Sequence, residues 1–215
     1  SRTEAKTRIL YGKVFVNGVI AKNAAMQVHE NNEVKLDGKV LNARGFRYIM
    51  LHKPIDMICS NVDEVYPSVL NLINVDKAFD LHIAGRLDAD TTGLVLITDD
   101  GRWSHNIISP KKRCEKKYRV WLRDPIAYDA KEKFEQGVQL HGESNLTLPA
   151  KLEVIDTNEV LLTITEGKYN QVKRMFAAIG NKVVWLHREQ IGINVLNQYL
   201  PPGQWRYLTE KEIES

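Results

Sequence analysis

Only two cysteines, Cys59 and Cys114, occur in 215 residues. They are no disulfide framework, and neither lies in a Cys-x-x-Cys arrangement, so both read as ordinary buried or semi-exposed thiols. The six histidines supply no His-x-x-x-His spacing, which removes the usual signal for zinc-assisted hydrolysis. A Walker loop, a Gly-x-Ser-x-Gly elbow and a Gly-x-Gly-x-x-Gly run are also missing, so phosphoryl transfer, serine-esterase chemistry and dinucleotide binding recede. No stretch approaches the roughly 18 apolar residues of a membrane span. No apolar segment behind Ser1-Arg2-Thr3-Glu4 serves as a signal peptide, and the expectation is a cytoplasmic protein without a membrane partner. Charge of one sign is scarce as well: 30 Lys and Arg against 27 Asp and Glu leave a net charge of +3, too little to identify a nucleic-acid binder from the total.

What is present is a local concentration of positive charge. Lys111, Lys112, Arg113, Lys116, Lys117 and Arg119 cluster around the single acidic Glu115, and Lys168, Lys173 and Arg174 form a second group. Such groups suit phosphate contacts, although a solvated face has the same composition.

The first residues, Ser1 to Tyr11, predict a short helix, with Ser1 and Glu4 at capping-box spacing, Ala5, Ile9 and Leu10 as its inner face, and Gly12 as its end. Two hairpins follow, turned at Asn17-Gly18 and Asp37-Gly38. This much chain buries little, so it reads as the back part of a small module. A composition change near Asn42 to Gly45 divides a unit 1–43 from a larger unit 44–215. Strands are predicted at Gly45 to Pro54, Met57 to Ser60, Leu94 to Thr98, Lys117 to Leu122, Lys151 to Ile155, Val160 to Thr165 and Val183 to Leu186. Helices are predicted at Arg102 to Ser109, Ala127 to Gln136 and Val172 to Ile179, stopped by Pro110, Gly137 and Gly180.

The polar, glycine-bounded segment His82 to Gly93 runs straight into the apolar Leu94-Val95-Leu96-Ile97. A loop rooted on a central strand holds a reactive carboxylate rigidly. Asp88 or Asp90 could be that carboxylate, with Arg86 pairing to either or touching a phosphate, and pattern alone does not rank the two. If Cys114 to Trp121 is a strand, Lys116, Tyr118 and Val120 share one face. A tyrosine there can stack on a base or simply pack. Ile164 to Phe176 joins a strand end, a glycine turn and a helix start, where Lys173 is a candidate partner for a carboxylate or an ordinary surface lysine.

Taken together, Gly85-Arg86-Leu87-Asp88, Thr91-Thr92-Gly93-Leu94, Glu115-Lys116-Lys117-Tyr118 and the run Gly167 to Met175 resemble the ribosomal small-subunit pseudouridine synthase family. Lys53-Pro54 matches its first motif. Gly101-Arg102-Trp103-Ser104-His105, Thr98-Asp99-Asp100 and His187-Arg188-Glu189 resemble the small-subunit branch rather than the large-subunit relatives. The resemblance covers Gly45 to the C-terminus, while the front resembles an S4 RNA-binding module whose usual preceding helix is missing, as if the terminus were cropped. It implies an α+β fold: a mixed, largely antiparallel catalytic sheet behind a truncated S4-like module. Asp56 departs from the family pattern, which usually has glycine there.

The resemblance further implies that Asp88 is the catalytic aspartate, Tyr118 the active-site tyrosine and Lys173 the basic partner of Asp88. The implied RNA contacts are Arg2, Lys6 and Arg8 in the front module, then Lys53, Arg86, Lys111, Lys112, Arg113, Lys116, Lys168 and Arg174. The implied reaction converts uridine 516 of 16S rRNA, in a partly assembled small subunit, to pseudouridine. It needs no cofactor and no metal, because atoms and electrons balance within the uridine, and a monomer presenting one RNA-binding face is expected. Three other readings stay open: a synthase acting on 23S rRNA, an aspartate-dependent RNA glycosidase that leaves an abasic ribose, and a non-catalytic S4-type RNA-binding protein.

Overall fold

The computed structural model describes residues 1–28, 32–41 and 45–214. The chain forms two compact units, Ser1–Gly45 and Phe46–Ser215. The boundary expected at 43/44 falls outside the described residues.

In the first unit, α1 (Arg2–Leu10) begins at a complete capping box between Ser1 and Glu4. Strands β1 (Val14–Val16), β2 (Val19–Ile20), β3 (Val34–Leu36) and β4 (Lys39–Leu41) form a sheet in the order β2-β1-β3-β4. Asn17 and Gly18 have φ of 49° and 80°, and Asp37 and Gly38 have φ of 51° and 79°. Two successive left-handed residues are what a two-residue hairpin loop needs, which is why Asn-Gly and Asp-Gly stand there. The inner face expected for α1 is not buried: no residue of the helix is, and Leu10 is 81% exposed. Only Val16 and Ala21 of this unit belong to the buried apolar set among the described residues.

The second unit is built on a nine-stranded sheet. In chain order it contributes β5 (Tyr48–Lys53), β6 (His82–Ala84), β7 (Thr92–Thr98), α2 (Gly101–Ile108), β8 (Lys116–Leu122), α3 (Ala130–Gln136), β9 (Lys151–Asp156) and β10 (Glu159–Ile164). There follow α4 (Gln171–Ala178), β11 (Val183–Ile191), β12 (Asn194–Val195), β13 (Trp205–Tyr207) and α5 (Glu210–Ile213). The main strand order is β13-β5-β7-β11-β8-β10-β9, with β6 paired to β7 and β12 to β11. Among the described residues only β7 and β11 pair in parallel within the sheet, so it is mixed and largely antiparallel, and the class is α+β.

Both faces of the central strands are covered. Ile49, Leu51, Val95 and Ile97 join Phe134 and Phe176 in one core, whereas Met50, Leu94 and Leu96 join Ile107 in another. That removes the alternation a half-exposed strand would show and explains the unbroken apolar run Leu94 to Ile97. Strand β8 keeps the expected alternation, with Lys116, Tyr118, Val120 and Leu122 buried. Met57 to Ser60 is not a strand; Ile58 makes one isolated bridge to Ser68. Strands β6, β12 and β13 carried too few apolar residues to be predicted, and β11 runs five residues beyond its predicted end at Leu186.

Candidate active site

Asp88 lies on the connection from β6 to β7, and that connection is fastened from several sides. The side chain of Leu87 is buried in the larger core, and its amide donates to Cys59 Sγ at 3.4 Å. The Thr91 amide closes a turn onto the Asp88 carbonyl at 3.0 Å, and the Asp56 amide donates to the Ala89 carbonyl at 2.9 Å. Beneath the turn, Lys53 Nζ donates to the carbonyls of Pro54, Ala89 and Thr91 at 2.9, 3.3 and 2.8 Å. Each of these orders the backbone and leaves the Asp88 carboxylate about half exposed, at 53%. A carboxylate on a fixed backbone with a free head is suited to meeting a ligand.

Lys53, expected to touch RNA, is fully buried. Burial holds its ammonium below its ordinary pKa, and three carbonyls satisfy its three donors. Lysine is used here because the loop turns three carbonyls inward where water cannot reach them.

Gly93 begins the strand that the loop feeds. Its φ is 120°, and a Cβ there would lie 2.3 Å from the backbone oxygen of Arg188. The parallel β7–β11 pair puts Gly93 opposite Arg188, so the glycine permits this close parallel contact.

Three distant segments bring further groups to Asp88. Together they enclose a cleft of about 460 Å³ whose wall includes Asp88, Lys116, Tyr118, Glu166, Lys173 and Arg188. This is within the range of roughly 300–1,000 Å³ that holds small ligands. Tyr118 is nearly buried and paired in register with Arg188 across β8 and β11. Lys173 sits in the first turn of α4 and is 30% exposed. Its Nζ lies 2.9 Å from both carboxylate oxygens of Asp90 and 4.0 Å from the nearest oxygen of Asp88. The expected partner was Asp88; the closer one is Asp90, whose carboxyl is held below the usual range mainly by the Lys173 hydrogen bond.

The expected RNA-contact residues divide into groups. Arg86 is exposed at the cleft, and Lys116 and Lys168 line it. Lys116 is 9% exposed, so little of it is open to a phosphate passing outside the cleft. Lys168 and Arg174 both pair with Glu143 at 3.4 Å, and Arg174 also caps the Tyr169 carbonyl at 2.7 Å. Lys111, Lys112 and Arg113 form an exposed turn outside the cleft wall. In the first unit Arg2, Lys6 and Arg8 are exposed, with Arg8 3.6 Å from Asp37.

One residue of the site was missed. Arg188 is 2% exposed, and its guanidinium donates to the Leu94 carbonyl at 2.9 Å and the Gly85 carbonyl at 3.1 Å. Its remaining nitrogen points toward the Tyr118 hydroxyl at 3.5 Å. The signal was its parity with Leu186, which puts a cation on the inward phase, but the strand was predicted to stop short of it.

A cleft holding an aspartate, an aromatic platform and several cations is built for an anionic ligand with a flat ring. Residues 47–178 match the RNA pseudouridylate synthase family, and residues 1–34 match the S4 domain. The chain belongs to the RNA pseudouridylate synthase family. It is similar to ribosomal small subunit pseudouridine synthase A of Vibrio cholerae, 54% identical over 215 residues that cover 100% of this chain and 93% of the relative. The protein of the same name from Escherichia coli is 53% identical over 216 residues, covering 100% and 94%. A pseudouridylate synthase crystal structure, 47% identical, matches with a TM-score of 0.77 over 100% of this chain and 93% of the other.

Proposed function

We propose that this protein isomerises one uridine of 16S rRNA, uridine 516, to pseudouridine within the Asp88 cleft. The observation that carries this reading is the convergence of Asp88, Tyr118 and Lys173 on one cleft from β6–β7, β8 and α4. The names of the full-length relatives support the choice of small-subunit rRNA. The nucleotide leaves its stack at a cost of a few kcal/mol, and its base and phosphates recover that cost in the cleft. Asp88 acts at the ribose, by attack on C1′ or by removal of the 2′ proton. Tyr118 packs on the uracil, and Lys173 aims the carboxylates at the mouth through its ammonium.

The exposed cations Arg86, Lys111, Lys112 and Arg113 supply sequence-independent attachment, with Arg2, Lys6 and Arg8 of the S4 module as further phosphate contacts. We place the protein in the cytoplasm as a monomer acting on a partly assembled small subunit. The test is site-resolved pseudouridine mapping after small- and large-subunit rRNA are treated with the protein. One new site at the named uridine is the expected result. A site only in 23S rRNA would replace the substrate, and no site in either would return the chain to an RNA-binding role. In the same assay Asp88→Asn should bind RNA and convert none, whereas full conversion would remove Asp88 from the chemistry.

A further inference from the structure

The wall of the cleft carries two buried cations with no carboxylate partner among the described residues. Arg188 is 2% exposed and its partners are the carbonyls of Leu94 and Gly85 and the hydroxyl of Tyr118, none of them charged. Lys116, two residues before Tyr118 on the same face of β8, is 9% exposed and, among the described residues, makes no side-chain hydrogen bond or ion pair. Desolvation by burial, opposed by Cys114 and reinforced by the charge of Arg188, holds the Lys116 ammonium below its ordinary value. Two carboxylates also line the cleft. Glu166 accepts from the Leu148 amide at 2.7 Å through one oxygen and has its other oxygen buried without a partner, and Asp88 lies toward Lys173.

Buried charges are ordinarily paired, because desolvation costs several kcal/mol per ion. Two like charges beside one tyrosine therefore amount to a positive field prepared for an anion that the resting protein does not contain. The isomerisation generates one. When the bond from N1 of uracil to C1′ of ribose breaks, the electron pair leaves with the base and spreads over N1, O2 and O4. The positive charge left on the ribose is met by Asp88, either as an ester at C1′ or by loss of the 2′ proton. The ring then turns and C5 bonds to C1′ as the Asp88 ester breaks or the 2′ proton returns; the C5 proton is then lost while N1 takes one up, so atoms and electrons balance within the nucleotide. We propose that Lys116 and Arg188 form the anion-stabilising wall for the departing uracil, Lys116 by direct contact as a catalytic residue and Arg188 through its field and its hold on Tyr118 as a positioning residue.

This rests on the Asp88 cleft being the site of reaction, and the test separates the two claims. Single-turnover conversion is measured with target RNA carrying uridine or 5-fluorouridine at the modified position. Fluorine makes the uracil anion more stable and less dependent on help from the wall. Because the fluorinated C5 carries no proton, the readout for both substrates is loss of the N-glycoside in nuclease digests. Lys116→Met should slow the uridine substrate on the order of 100-fold. Its loss on 5-fluorouridine should be smaller by at least about tenfold, with RNA affinity little changed and Lys116→Arg restoring much of the rate. Arg188→Lys should show the same substrate-dependent loss in milder form. Equal losses on the two substrates, or an unaffected Lys116→Met, would overturn the proposal even if Arg188 variants fail to fold. Asp88→Asn serves as the parallel control: if it converts uridine normally, the cleft assignment itself fails, whereas an inactive Asp88→Asn beside equal losses defeats only the role of the wall.

Discussion

Lys173 grips Asp90 with both carboxylate oxygens at 2.9 Å while standing 4.0 Å from Asp88. The two aspartates, separated by one residue on the same turn, share one ammonium. Asp90 is 66% exposed and Asp88 53%, so solvent screens the resting ion pairs, each contributing under about 1 kcal/mol. Once RNA displaces water, the same charges interact more strongly.

The first prediction follows from that sharing. Asp90→Asn releases Lys173 toward Asp88, and single-turnover conversion should stay within about fivefold of the parent. Lys173→Met leaves both aspartates without their cation and should cost on the order of 100-fold. The opposite ranking in the same assay would make Asp90 the functional partner.

Lys53 provides a second. Replacement by Met leaves the carbonyls of Pro54 and Thr91 without their donor beneath the loop, which should cost about 2–3 kcal/mol in urea unfolding. Conversion should fall with the displaced Asp88. Its salt dependence of RNA binding should not change, in contrast to Lys111→Ala or Lys112→Ala, each expected to lower the slope by about one counterion. A reduced slope for Lys53→Met would return it to the RNA contacts.

Gly93→Ala is the third. The added methyl meets the Arg188 backbone rather than a movable side chain, so relief requires separating β7 from β11. Destabilisation of about 2–4 kcal/mol is expected from thermal unfolding, and conversion should drop with it. Unchanged stability would show that the parallel pair is looser than its register implies.

A pH dependence arises far from the cleft. Arg206 holds Glu212 through two bonds at 2.8 and 2.9 Å, and its hydrogen bond is the main reason the carboxyl falls from 4.5 to about 2. A depressed acid binds more protons unfolded than folded between those values, so its stabilisation is present above about pH 4.5 and lost as pH falls toward 2. Glu212→Gln should therefore cost on the order of 2 kcal/mol at pH 7 and almost nothing near pH 2. Urea unfolding at both values checks it, and an equal gap at both would refute the ion pair as the cause.

Much of the fold was legible because its signals are local. Ser1 with Glu4 marks a helix start, Asn17-Gly18 and Asp37-Gly38 can only turn tightly, and the parity of β8 already aligned Lys116 with Tyr118. The loop carrying Asp88 was legible too, as a polar segment feeding an apolar strand. What distinguished Asp88 from Asp90 was a resemblance, and the geometry returns Asp90 to the site as the closer partner of Lys173.

The sequence by itself determined the helix caps, the hairpin turns, the candidate carboxylates and the family, because each depends on residues within a few positions of one another. Tertiary structure alone decided which cations are free. Lys53, Lys116 and Arg188 are three basic residues in strands, yet the first is consumed by loop carbonyls, while the second and third line the cleft, Arg188 anchored on the Leu94 and Gly85 carbonyls. Those fates depend on which carbonyls and carboxylates lie across the sheet, dozens of residues away, and on how much water remains between them. That long-range desolvation, invisible in any short stretch of chain, is what turns basic composition into a prepared positive wall.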